Sequence, residues 1–209
     1  MTALSETIAA QADLLESVLT VRIDDAAEGI AGSKRLWLVG TGTSQHAAEL
    51  GALMFGPGKR DARWRSSAAF CGDPPALSAD DAVVIISHTT TTAFARRARA
   101  YAIERGAGVV SITAEARGWP EAIEAAPLER AETYTASYIA ALIVLARLSV
   151  AVGEPGFDER RLSELPGRVR TAAQAPAVSS PRTEVSSMNW VTSGGWLCRT
   201  SEIKYSAIA

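Results

Sequence analysis

Ser87, His88, Thr89, Thr90, Thr91 and Thr92 set five hydroxyls and one imidazole into six consecutive positions. They follow the apolar run 82–86 and precede an apolar and basic segment that begins at Ala93. Hydroxyls and backbone N–H groups at the start of a helix make an anion site. The first turn has unpaired donors and carries the positive end of the helix dipole. The dipole contributes about 0.3–1 kcal/mol, rising to about 2 kcal/mol in buried geometry. Several hydrogen bonds to a charged ligand, at roughly 1.5–3 kcal/mol each, contribute more. A phosphate group, compact, dianionic and rich in acceptors, meets those requirements. The alternative is a solvated turn in which Thr91 or Thr92 only caps the following helix. One cap accounts for one hydroxyl and leaves the others unexplained.

A second loop of unusual composition is Val-Gly-Thr-Gly-Thr-Ser-Gln-His at 39–46. It holds Gly40 and Gly42 but has Gln45 where a dinucleotide fingerprint needs its third glycine, and no nucleotide P-loop motif occurs in the chain. The two histidines are His46 and His88. His46 falls inside a helical stretch and reads as a packed residue. His88 lies in the hydroxyl loop, where an imidazole that can charge near neutral pH would donate to a phosphate, or simply be solvated. Glu129 is the one carboxylate that stands out as a candidate base. No His, Asp or Glu cluster has metal-ligand spacing, so no metal and no cofactor is expected.

The elements that must hold these loops follow from the hydrophobic pattern. Residues 5–31 show helical periodicity, with Ser5 placed to cap the first helix. The runs 35–40, 62–70, 82–87 and 108–113 read as strands, and Arg63 and Arg65 mark 62–70 as an edge. Helices are expected after 43, over 91–106 and over 133–152, then over 154–174 with an interruption at Pro166 and Gly167. Strands alternating with helices imply βαβ units around a parallel sheet, and continuous apolar runs imply a sheet covered on both faces. Residues 175–187 have a linker's composition. Residues 188–209 overlay the first strand, turn and helix at an offset of 153, which places Trp190, Gly195 and Glu202 on Trp37, Gly42 and Glu49. The expected organisation is one domain over 1–174, a linker over 175–187, and the first βα unit of a second copy over 188–209.

The chain has 209 residues, 47% of them hydrophobic and 21% charged, with a net charge of −2. That composition builds a globular core and lacks the basic patch of a nucleic-acid binder. Cys71 and Cys198 are too few and too far apart for a disulfide framework or a zinc site, which fits a cytoplasmic setting. The N-terminus, with Glu6, Asp13 and Glu16, lacks the pattern of a signal peptide. The apolar stretch 138–152 is broken by Arg147 and is too short to span a bilayer, so no membrane association is expected.

In order and spacing these motifs resemble the sugar isomerase (SIS) domain family. The similarity is to the isomerase half of glucosamine-6-phosphate synthase and to related double-SIS phosphosugar isomerases and deaminases. Gly42-Thr43-Ser44 matches the family's first loop. In its second loop, Ser-Gln-Ser-Gly-Glu-Thr, Ser87 and Thr92 match and Thr89 keeps a hydroxyl, whereas His88, Thr90 and Thr91 replace Gln, Gly and Glu. Ala68-Ala69-Phe70 resembles the family's Ala-Ser-Glu-Phe without its Glu, and Glu129 and Thr135 match the ends of Glu-x-x-Val-Ala-Ser-Thr.

The resemblance implies a three-layer α-β-α sandwich with a central parallel sheet in a flavodoxin-like arrangement. It also implies a sugar phosphate of the fructose 6-phosphate or glucosamine 6-phosphate class, with Ser44, Ser87, Thr89 and Thr92 holding the phosphate. Gly42, Thr43, His88 and Thr135 would complete the binding set, and a homodimer is implied. The family's catalytic groups lie in its second SIS domain. Laid on that pattern from Glu202, Ser206 takes the Lys position and Ala209 the last Glu, with Lys204 offset by two. Two expectations follow: a phosphosugar-binding protein without turnover, or an isomerase, aminotransferase or deaminase completed by a partner chain.

Overall fold

Strand β1 (Arg35–Gly40) pairs on one side with β2 (Asp61–Ser66) and on the other with β3 (Asp81–Ile86). β4 (Gly108–Ala114) and β5 (Ala122–Ala126) extend the same sheet in the order β2-β1-β3-β4-β5, all parallel. The computed structural model describes residues 3–56, 60–131 and 133–174. The proposed linker at 175–187, the repeated βα unit at 188–209 and Cys198 lie outside the described residues.

The period-two geometry of a strand sends neighbouring side chains to opposite faces, and here both faces are covered. Leu36, Leu38, Ala82, Val84, Ile86, Val110 and Ile112 enter one core. Trp37, Val39, Val83 and Ile85 enter the other. The first core is closed by α2 (Gln11–Thr20), α3 (Asp24–Ala31), α4 (Thr43–Phe55) and α7 (Thr135–Ala151). The second is closed by Phe70 of α5 (Ser67–Gly72) and by Ala95, Ala98 and Ala102 of α6 (Ala93–Glu104). The result is the α-β-α sandwich expected from the unbroken apolar runs. On the first face, α4 lies so close that a Cβ at Gly51 would stand 2.6 Å from Leu38 Cδ2 and 2.9 Å from Leu145 Cδ1.

Several local readings are corrected. The periodic segment 5–31 is divided into α1 (Ala3–Ala9), α2 and α3, and Ser5 lies within α1 rather than capping it. Arg147, which breaks the apolar run of α7, donates to the carbonyls of Val18 and Val21 at 2.8 and 2.6 Å, so a half-buried guanidinium closes the end of α2. Strand β2 stops at Ser66, whose hydroxyl accepts the Ala69 N–H at 3.1 Å and starts α5 inside the stretch read as strand. β2 is the sheet edge, as Arg63 and Arg65 foretold, and both guanidinium groups lie over the Trp37 ring. α8 (Glu159–Gln174) runs through Pro166 without a break. Its packing against α2, with Arg170 paired to Asp13 and Glu16, offsets the backbone bond that proline removes. β5 has no strong strand signature and exists through its pairing with β4. Among the described residues no helix is long and apolar enough to cross a membrane.

Candidate functional site

In an open parallel sheet the strand order reverses at one point, and the loops there diverge to opposite faces and leave a crevice. That point lies between β1 and β3. Beyond their carboxyl ends is a cleft of about 140 Å³, room for several water-sized groups at about 10–15 Å³ each.

Its first wall comes from β1. Gly40 ends the strand, Gly42 turns the chain with φ 60° and ψ −129°, and α4 begins at Thr43. A Cβ on Gly40 would collide with the Ser44 carbonyl, so the strand can meet the first helical turn only through a glycine. Thr41, Thr43 and Ser44 line the cleft from this side, whereas Gly42 is not among the lining residues and makes the turn between Thr41 and Thr43.

The second wall is the hydroxyl loop. Ser87, only 5% exposed, is tied to β4 by its N–H to the Ile112 carbonyl at 3.0 Å. Thr90 takes a left-handed conformation with φ 59°, and its hydroxyl donates to the Thr89 carbonyl at 2.7 Å. The Thr89 and Thr91 hydroxyls bond each other at 2.9 Å. Thr92 occupies the N-cap position of α6, yet its side chain makes no capping hydrogen bond. Ser87, His88, Thr89 and Thr92 line the cleft, whereas the Thr90 hydroxyl serves the loop's own backbone. The simple capping account of Thr92 therefore fails, and two helix N-termini, those of α4 and α6, open on one space.

A third wall comes from the start of α7, a segment from which only Thr135 was expected in the site. Tyr134, Ser137 and Tyr138, at the start of α7, complete the lining together with Thr113 at the end of β4. The signal was present: Thr133, Tyr134, Thr135, Ser137 and Tyr138 repeat the density of five hydroxyls in six positions just before an apolar helix. Tyr134 is itself left-handed, with φ 50° and ψ 39°, a conformation that costs a bulky residue on the order of 1–3 kcal/mol. Thr135 is not among the lining residues, and its hydroxyl lies 3.5 Å from Glu129 Oε1.

Glu129 does not line the cleft either. Its carboxylate accepts the N–H groups of Ala136 at 3.3 Å and Ser137 at 2.9 Å, and the Ser137 hydroxyl at 2.8 Å. It is the cap of α7, satisfying the donors that its left-handed N-cap Tyr134 leaves open. His88 Nε2 accepts the Glu129 N–H at 2.8 Å. The imidazole is therefore neutral with its proton on Nδ1. Burial, and less strongly Arg117, hold its pKa below the ordinary histidine value against the opposing pull of Glu129. His88 is neither a solvated turn residue nor a resting cation. His46 is exposed, with Nδ1 3.9 Å from Glu49 Oε2, rather than packed.

Among the described residues the lining contains no Asp, Glu, Lys or Arg. It offers neutral donors: hydroxyls and the leading N–H groups of two helices, a chemistry suited to an anion rich in acceptors. Among the described residues no group of three or more His, Cys, Asp or Glu could hold a metal.

The SIS domain family model matches residues 29–118. No curated protein matches the sequence. Among solved structures, an Escherichia coli CFT073 protein in complex with a phosphosugar superposes with a TM-score of 0.60 at 18% identity, over 71% of this chain and 87% of its own. The Vibrio vulnificus NanR protein complexed with ManNAc-6P superposes at 0.63 with 17% identity, over 83% of this chain and 70% of its own. The C-terminal domain of glucosamine-fructose-6-phosphate aminotransferase from Francisella tularensis superposes at 0.55 with 14% identity, over 81% of this chain. This chain spans 53% of that last structure. Such identities establish a shared fold. Residues 29–118, the part that matches the SIS domain model, carry β1 to β4 and the two loops that open on the cleft.

Proposed function

We propose that the chain binds a sugar phosphate in this cleft, with the phosphate against Thr43, Ser44, Ser87, Thr89 and Thr92. One observation carries the reading: hydroxyls from two strand ends meet two helix N-termini at the topological switch point, and Thr92 is spared from capping. The phosphosugar complexes of the Escherichia coli and Vibrio vulnificus neighbours support a ligand of this class. We assign the fructose 6-phosphate or glucosamine 6-phosphate class, in a cytoplasmic protein. The walls described here bind and orient. Among the described residues these walls carry hydroxyls, and the Glu129 carboxylate is engaged by the first turn of α7.

A second reading rests on the chain spanning 53% of the aminotransferase domain. A second chain, as in a homodimer, would then complete the site and supply an isomerase, aminotransferase or deaminase activity.

Thermal unfolding with fructose 6-phosphate, glucose 6-phosphate and glucosamine 6-phosphate tests the proposal, with the free sugars and inorganic phosphate as controls. Ligand at a hundred times its Kd adds about 2.7 kcal/mol. A shift with one sugar phosphate and none with its free sugar is the expected result. No shift with any of them would overturn the assignment.

A further inference from the structure

We propose that His88 is a positioning residue that latches the third wall of the cleft to the hydroxyl loop, and that protonating it releases the latch, so that the cleft is assembled at neutral pH and loosened in acid. The proposal deepens the phosphosugar reading and rests on it only for its ligand measurement.

The latch is a continuous chain of contacts. The His88 backbone is anchored to the sheet by the Ala114 N–H, which donates to its carbonyl at 2.9 Å. Its Nε2 accepts the Glu129 N–H at 2.8 Å, and its ring meets the edge of Tyr134 at 5.9 Å and 65°. Glu129 in turn holds the first turn of α7 through Ala136 and Ser137. One imidazole thus joins the loop that carries Ser87, Thr89 and Thr92 to the segment that carries Tyr134, Ser137 and Tyr138. These contacts cross between segments 41 residues apart.

An imidazolium has two N–H donors and no acceptor. Protonated at Nε2, His88 would point a proton at the Glu129 N–H across 2.8 Å, and the two donors must separate. Three influences act on that equilibrium. Burial opposes the charge, Arg117 opposes it, and the Glu129 carboxylate favours it. Tyr134 contributes a neutral ring edge. Tyr134, whose ring meets His88, is itself held in a left-handed backbone conformation, which costs energy to keep.

His88→Gln supplies the discriminating variant. A glutamine oxygen can accept the Glu129 N–H but does not titrate, and glutamine stands here in the motif that this loop resembles. The first readout needs no ligand: hydrogen-exchange protection of the Glu129 amide across pH 8 to 5, corrected for the intrinsic rate. We expect protection in the wild type to fall as His88 protonates and to stay level in His88→Gln. Protection that follows the same course in both proteins, or that persists in the wild type with His88 protonated, overturns the latch.

The second readout is the Kd for glucosamine 6-phosphate, taken as the ratio of wild type to His88→Gln at each pH so that the ligand's own ionisation cancels. If only the latched state binds, the ratio rises toward about tenfold per pH unit below the His88 pKa. A flat ratio with ligand bound overturns the coupling. Absent binding at every pH refutes the phosphosugar reading instead and leaves the amide measurement to judge the latch.

Discussion

Gly40 and Ser44 approach so closely that no side chain fits between the end of β1 and the first turn of α4: a Cβ on Gly40 would overlap the Ser44 carbonyl. The obstacle is backbone, which cannot swing aside as a flexible side chain does. Gly40→Ala is therefore expected to push the first turn of α4 outward, at about 1–3 kcal/mol of stability. It should weaken sugar-phosphate binding more than that loss alone explains, because Thr43 and Ser44 ride on the displaced turn. Urea unfolding and ligand-induced thermal shift on the same variant separate the two effects.

Thr92 occupies an N-cap position without capping. A hydroxyl that caps costs about 1 kcal/mol when removed, whereas one held for a ligand costs little in the free protein. Thr92→Ala should leave stability within about 0.5 kcal/mol. It should lower affinity for the sugar phosphate by roughly 1.5–3 kcal/mol, tenfold or more. Lost stability with unchanged affinity would restore the capping role.

Glu129 gives the opposite pattern. Its carboxylate serves the Ala136 and Ser137 N–H groups, so Glu129→Ala should cost about 1–2 kcal/mol by equilibrium unfolding. Glu129→Gln keeps an acceptor and should recover most of that loss. An assay of any isomerase activity on the glutamine variant checks the assignment, since a base would be abolished by a change that a cap tolerates.

At the opposite end of β3, Asp81 is 2% exposed and receives Arg35 at 2.6 and 2.7 Å along with the Ser78 N–H and hydroxyl. Arg35 foremost, then Ser78, hold its carboxyl below the ordinary value of 3.8 despite burial. The folded-state pKa is depressed, so the stabilisation is fully present above pH 3.8. It is lost as pH falls through the lower folded value. Asp81→Asn should flatten that acid limb and lower stability near neutral pH, as stability measured from pH 6 down to pH 2 would show.

His88 has the same sign for a different reason. Its folded pKa lies below 6.5 because burial disfavours the imidazolium. Stability is therefore complete above pH 6.5 and declines as pH falls toward the folded value. His88→Gln should remove this component, so the two proteins' unfolding curves should diverge below pH 6.5 in the direction of a more acid-tolerant variant.

By itself the sequence determined the frame of this protein. β1, β3, β4 and α7 were legible because an element buried on most sides must be apolar along its length, and α6 because its buried alanines recur at helical spacing; both patterns are local. The loop 87–92 was legible because five hydroxyls in six positions is an anomaly of composition that needs no partner to be seen, and the loop 39–46 through its glycines. Tertiary structure decided what depends on distant contacts. β5 exists because β4 offers it a ladder, and Pro166 stays inside α8 because that helix packs on α2. The contacts of Glu129 and His88 arise only where the end of β3 and the start of α7 are brought together. A carboxylate and an imidazole take their charge and purpose from what faces them, and here residues 41 positions apart face each other.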